Sequence, residues 1–371
     1  MKAARKLFRT KYLYDLEQTE DLFVKAMREN CEFCYQNCPD YRRILDEADF
    51  SPSKITSMEA LTDLPFLPTL YFKHHDLTCV PEKKLMIKAT SSGTSGKMSK
   101  IGFDLHSLLT GASMVLRVGK YHKLWSLKPV NYVIFGYQPT KTNQTAFSKT
   151  SYGFTFFAPA RSRTFALEMT PSGYQLNWSR VIDALERCSH SKFPFRTIGF
   201  PAYTYFLLKD LKAKGVHYKM PKGSMVTMGG GWKQFYTEQP DKKEFYRLVK
   251  EILDIDEDHI IEFFGAVEHP ILYTDCKCHH FHVPAYSRVI IRDPDTMKPL
   301  PNGRTGLVNL MTPMVRSTPI LSIMTDDLGI LHEVPCSCGA KSPWLEIIGR
   351  VGIKDIVTCA AGGEKYLQGK E

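Results

Sequence analysis

The sequence predicts an α/β layered fold closed by a smaller, mainly β subdomain. Three observations carry this expectation. Short apolar runs alternate with helical stretches through the middle of the chain, and after Cys276 the pattern changes to strands joined by tight turns. The composition, 371 residues with 43% hydrophobic and 24% charged, is that of a globular protein with length for one large core or two domains.

In chain order, Phe23, Met27, Cys31, Cys34 and Cys38 recur at helical spacing, which predicts one helix face from Tyr12 to about Asn37, closed by Pro39. On that continuous stripe the C-x-x-C-x-x-x-C spacing reads as core packing rather than a metal cluster. A proline-broken connector, MEALTDLPFLPTLYF, leads to the loop ATSSGTSGKMSKIG at residues 89–102. Beyond it NYVIFGY, FRTIGF, SMVTMGGG and IIEFFGA read as strands, and residues 202–215 and 240–253 as helices. In the terminal β region Asn302-Gly303 is a hairpin signal.

No run approaches the ~18 apolar residues of a membrane span, and the charged start lacks a signal-peptide core, so a cytoplasmic protein is expected. Ten cysteines in that compartment point to packing, metal ligation or catalysis rather than disulfides. The formal charge of +10 favours anionic ligands, while the scattered basic residues and the lack of a reading motif exclude a nucleic-acid binder.

The loop at 89–102 has the chemistry of a phosphate cradle. Glycines let successive amides converge on phosphate oxygens, and hydroxyls and lysines add donors and positive charge. Its spacing is not that of a Walker A loop. SSGTSGKMSK resembles the phosphate loop of the adenylate-forming superfamily, which implies that Ser91, Ser92, Gly93, Thr94, Ser95 and Gly96 bind ATP, with Lys100 or Lys97 as the phosphate-contacting lysine. Other stations of that superfamily follow in order. FFGAVE is similar to its Y-G-x-T-E stretch, implying Gly265 beside the adenine and Glu268 as a holder of Mg²⁺; GGGWK resembles the turn that packs Gly230 and Gly231 on the nucleotide. MTDDLG implies a ribose contact from Asp326 or Asp327, and IIGRVGIKDIV a second from Arg350.

Within the superfamily GFPAYTYFLL, GGGWK, TDDLGI and the chain length resemble the LuxE family, the acyl-protein synthetases of fatty-acid reductase complexes, with phenylacetate-CoA ligases next. The resemblance implies a large adenylate-forming domain and activation of a carboxylic acid, most naturally a fatty acid, as acyl-adenylate. Transfer to an enzyme cysteine follows, and then to a partner such as an acyl reductase or carrier protein. VTCAAGGEKYL puts Cys359 at the family's acceptor position, with Lys354, Lys365 and Arg350 as cations to draw its thiol toward thiolate. The chain stops about twenty residues past Arg350, so the superfamily's mobile C-terminal lid is expected to be truncated. The alternative is an aryl- or acyl-CoA ligase that loads CoA or a carrier. The aromatic stretch around Phe200, Tyr203 and Tyr205 is a candidate acyl lining. These features divide the chain into a helical region and connector at 1–88, a nucleotide- and acyl-binding core at 89–275, a β-rich subdomain at 276–348 and a hinge remnant with tail at 349–371.

A separate constellation carries metal chemistry. CKCHHFHVP and PCSCGAKSPW each offer soft donors within a few residues, suiting a structural tetrahedral Zn²⁺. Cys336 and Cys338 are expected as ligands, with Cys276, Cys278 and His282 competing for the remaining places.

Overall fold

The computed structural model describes residues 2–91, 98–140, 143, 145–171, 173–232, 235 and 238–351. The chain forms two compact units, Met1–Met114 with Ala266–Glu371, and Val115–Gly265. The first unit joins the N-terminal region to the β-rich segment, which the sequence-based limits separate. The cause is non-local pairing, invisible to a reading along the chain. Strand β1 (Leu67–Pro68) runs parallel to a strand some 250 residues later, Leu67 opposite Ile323 and Pro68 opposite Met324.

The N-terminal helix Glu20–Asn37 buries Phe23, Met27, Cys31 and Cys34 on one face, as the spacing requires. Its buried Asn30 donates from Nδ2 to the Val315 carbonyl at 2.8 Å. The helix starts later than the expected Tyr12, because residues 13–14 are held by distant backbone instead. The Leu13 carbonyl accepts from Ala285 N–H at 2.7 Å, and the Tyr14 carbonyl from Lys341 and Ser342 N–H at 3.1 and 2.9 Å. Pro39 occupies the first turn of the next helix, Pro39–Glu47, where its missing N–H has no cost. Strands β2 (Leu85–Thr90) and β3 (Lys100–Asp104) form a separate antiparallel hairpin.

The second unit is a mostly parallel sheet of β4 (Val130–Tyr137), β5 (Ala160–Thr170), β6 (Gly173–Leu176), β7 (Phe195–Gly199), β8 (Val226–Gly229) and β9 (Ile260–Phe264). Within it the order is β9-β8-β7-β4-β5-β6, and only the β5–β6 pair is antiparallel. The runs expected as strands are these continuous apolar segments, buried because helices cover parallel sheets on both faces. The helices expected at 202–215 and 240–253 occupy Pro201–Ala213 and Lys242–Leu253. Asp241 caps the second, its carboxylate accepting from Lys243 and Glu244 N–H.

At the carboxyl end of β7 the backbones crowd. A Cβ on Gly199 would lie 2.4 Å from the Phe135 carbonyl oxygen. We expect Gly199→Ala to destabilise the protein by about 1–3 kcal/mol through overpacking, read as a lower urea midpoint with unchanged slope.

The first unit then continues with β10 (Tyr273–Thr274), β11 (Phe281–His282), β12 (Arg288–Arg292), β13 (Thr305–Met311), β14 (Ser322–His332) and β15 (Trp344–Arg350). Its larger sheet has the order β11-β15-β14-β13-β12, with β1 also on β14. Gly303, the hairpin signal, has φ of +83° and donates its N–H to the Leu331 carbonyl at 2.8 Å.

Candidate functional site

The glycine-serine loop hangs from a fixed base. After the β2–β3 pair Thr90↔Lys100, Ser91 and Ser99 continue it: Ser91 N–H donates to the Ser99 carbonyl at 3.2 Å, and Ser99 N–H to Ser91 Oγ at 3.0 Å. Ser92, Gly93, Thr94, Ser95, Gly96 and the competing Lys97 lie outside the described residues, as do the expected acceptor Cys359 and its neighbours Lys354 and Lys365. Lys100 heads β3 on the surface, its Nζ 2.9 Å from the Asp76 carboxylate, with both side chains more than half exposed.

Three further segments meet that base. The Ser99 hydroxyl hydrogen-bonds the Glu268 carboxylate and lies 3.5 Å from the Thr69 carbonyl. Thr69, just past β1, donates its N–H to the Met324 carbonyl of β14 at 3.0 Å. Two residues along β14, Asp326 Oδ2 lies 3.2 Å from Arg350 Nη2, and the Asp326 carbonyl accepts Val351 N–H at 2.7 Å. Asp327 is paired with Arg350 in strand register, but Asp326 makes the ion pair. About two-fifths of each of these side chains is exposed, so the pair adds well under ~1 kcal/mol to stability and both groups remain reachable by a ligand.

Glu268 is only 4% exposed. Burial pushes its carboxyl above the usual range; the Ser99 hydrogen bond opposes the rise, the Asp326 charge adds to it, and the Arg350 guanidinium pulls the other way. A carboxylate kept ionised in such a place calls for a cation, and perturbed groups of this kind cluster at functional sites.

The other predicted nucleotide residues belong to the second unit. Gly230 and Gly231 follow β8 with φ of +84° and +69°, and Gly265 is exposed just past β9. A Cβ on Gly230 would meet the Phe147 and Phe200 rings at 2.9 Å, and those rings stack with centroids 3.8 Å apart. These glycines and the aromatic pair therefore sit at carboxyl ends of parallel strands, where α/β sheets take their ligands. Tyr205, by contrast, packs against Trp232 and Phe245 in the core.

The metal candidates converge in the first unit. One donor atom each from Cys276, His280, His282 and Cys336 lies within 4.8 Å of all the others. Cys336 Sγ is 3.8 Å from Cys276 Sγ and 3.4 Å from His280 Nδ1, and Cys338 Sγ adjoins the group, 3.3 Å from His282 Nε2. Cys278, expected as a competitor, instead points its Sγ at Ser337 Oγ, 3.1 Å away. The surrounding hydrogen bonds suit ligation. His282 Nδ1 faces the Ser342 carbonyl at 3.0 Å, fixing the tautomer that presents a bare Nε2, and Cys276 Sγ accepts Cys278 N–H at 3.3 Å. Without a cation, burial pushes the Cys276 thiol up, away from thiolate.

Sequence reasoning missed His280, Ser99 and Thr69. His280 was hidden by a turn: His279 takes φ of +57°, and the His280 carbonyl returns to accept Cys276 N–H at 3.0 Å, which swings the ring back to Cys276. The crowding of donors in CKCHHFH was a signal that a turn would choose among them. Ser99 lies in the quoted loop, yet nothing in its spacing marks it as the residue that reaches Glu268. Thr69 has no sequence signal, since its part comes only from β1 joining β14.

A family model for the acyl-protein synthetase LuxE matches residues 8–367. The chain is 24% identical over 356 residues to the long-chain-fatty-acid–luciferin-component ligase of Aliivibrio fischeri, covering 96% of this chain and 91% of that protein. It is also 24% identical over 334 residues to the phenylacetate-coenzyme A ligase of Thermus thermophilus, covering 87% of this chain and 68% of that one. Among solved structures, 2-hydroxyisobutyryl-CoA ligase in a postadenylation state superposes with a TM-score of 0.69 over 92% of this chain and 70% of its own, at 14% identity, a likeness of fold. The likeness of fold thus coincides with a family match over nearly the whole chain, and the chain belongs to the LuxE family of acyl-protein synthetases.

Proposed function

We propose that this enzyme activates a long-chain fatty acid with ATP, loads the acyl group on Cys359 and passes it to a partner protein, an acyl reductase by chemistry. The observation that carries the reading is the meeting of the loop base at Ser91 and Ser99 with Glu268, Asp326 and Arg350 in one unit. In the first step a carboxylate oxygen attacks the α-phosphorus and pyrophosphate leaves. In the second the Cys359 thiolate attacks the acyl carbonyl carbon and AMP leaves. The loop amides and hydroxyls of residues 91–96 would receive phosphate oxygens, and Asp326 and Arg350 the ribose hydroxyls. Glu268 would hold Mg²⁺, which when bound neutralises charge at the α-phosphate. Lys100, tied to Asp76, is a weaker candidate for the phosphate lysine than its position in the motif suggests. The Cys276, His280, His282 and Cys336 cluster would hold a closed structural Zn²⁺, with Cys338 as the competing fifth donor. The protein works in the cytoplasm, where its thiols stay reduced.

Intact-mass spectrometry after incubation with fatty acids, ATP and Mg²⁺ tests this. We expect one acyl adduct, lost in Cys359→Ser while acid-dependent exchange of pyrophosphate into ATP persists. No exchange in the wild type would remove the adenylation step. Free acyl-CoA formed on adding CoA, without a protein adduct, would favour the second reading, a CoA ligase, for which the phenylacetate-CoA ligase relative speaks.

Arg350→Ala should raise the KM for ATP by roughly ten- to a hundredfold with a smaller change in kcat, because it removes a charged contact worth ~1.5–3 kcal/mol to bound nucleotide. Steady-state exchange kinetics read it directly.

A further inference from the structure

We propose that the second unit carries a peripheral docking face for bilayers with anionic headgroups. Between Asp104 and Glu168 the chain contains no aspartate or glutamate and eight lysines and arginines. Apolar side chains stand at the surface of this acid-free stretch: Leu127 is 96% exposed, Phe156 62%, Leu116 58% and Trp125 47%. Single exposed leucines are ordinary, but these are gathered and held.

The Trp125 indole N–H donates to the Leu116 carbonyl at 3.4 Å, and its ring meets Phe157 edge to face at 4.8 Å. Ser126 N–H donates to the Phe157 carbonyl at 3.1 Å, which ties the Leu127 loop to the Phe156–Phe157 turn. Phe156 packs on Tyr152 at 5.3 Å, and the Arg163 guanidinium lies over both rings at 5.5 and 5.7 Å. Room for the tryptophan comes from Gly119, where a Cβ would sit 2.4 Å from Trp125 Nε1. Exposed Lys120, Lys123, Lys128 and Arg161 belong to the same stretch.

A bilayer fits this surface better than a folded partner does. Protein interfaces set register with charges of both signs and seat their anchors in pockets. Along this stretch one sign of charge accompanies Leu, Trp and Phe side chains exposed to solvent, the residue types that enter a headgroup layer while lysine and arginine meet its phosphates. None of the residues of this face is among those assigned to adenylation, so it stands or falls independently of that reading.

The test is flotation of the full-length protein with phosphatidylcholine vesicles, with and without phosphatidylglycerol, at low and high salt. We expect binding only to the anionic vesicles, weakened by salt. Leu127→Asp should cut partition by roughly tenfold or more while melting temperature and pyrophosphate exchange stay at wild-type values. The double reversal Lys128→Glu with Arg161→Glu should also weaken it, by charge rather than insertion. Failure to bind anionic vesicles at low salt, or unchanged binding of Leu127→Asp, overturns the proposal. So does self-association without vesicle binding that Leu127→Asp abolishes, which would make the face a protein interface.

Discussion

Glu268→Gln is expected to lower acid-dependent pyrophosphate exchange by about 10²–10³-fold while raising the melting temperature of the unliganded protein. Both effects have one cause. The carboxyl is almost fully buried, and burial pushes it above the usual range. For a carboxyl raised in the folded state, stability from that group is present at low pH and lost as pH rises through the folded value, so at neutral pH ionised Glu268 weighs against folding. Glutamine keeps the shape and the Ser99 contact and removes the charge. In the proposed function the same charge holds the divalent cation of Mg-ATP, so Mg-ATP should raise the melting temperature of the wild type and hardly that of the variant. An exchange rate close to wild type in Glu268→Gln would take this residue out of the mechanism. Thermal-shift and exchange assays on the same preparations separate a folding defect from a chemical one.

The second large effect is metal removal. If the cysteine-histidine cluster holds a metal at about a thousandfold over its Kd, that binding contributes ~4 kcal/mol to the folded state. Chelation, or Cys336→Ser, should therefore lower the melting temperature steeply and release one equivalent of zinc by elemental analysis. Cys278→Ser should do neither, because its Sγ faces Ser337 instead of the donors. The consequence should extend beyond stability. His282 lies opposite Trp344 at the start of β15, and Trp344 stacks between His280 and His332 with centroids 3.8 and 3.9 Å away. The far end of that strand carries Arg350, paired with Asp326. Loosening the cluster should thus raise the KM for ATP as well. Metal-free protein with an undiminished melting temperature would reduce the cluster to buried packing.

Much of this molecule is legible along the chain. The helix face Phe23, Met27, Cys31 and Cys34, four buried strands of the parallel sheet and the two helices between them follow from periodicity and capping, which are local. The glycine- and serine-rich stretch at 89–102 and the Asp326–Arg350 segment are also local signals, since residue types at close spacing are read directly from the chain. Periodicity could not find the partner of β1, since a two-residue strand has no period to read and its meaning comes from the Met324 neighbour. Nor could it choose among Cys276, Cys278, His279, His280 and His282, which a left-handed turn at His279 sorts into facing and averted side chains. The sequence alone thus determined the family, the helix face and the strands of the parallel sheet, and which donor residues stand close along the chain, because residue type and local spacing suffice for that. Only the tertiary structure decided that Ser99 meets Glu268 and His280 meets Cys336, because pairing between distant strands sets those distances and no local rule encodes it.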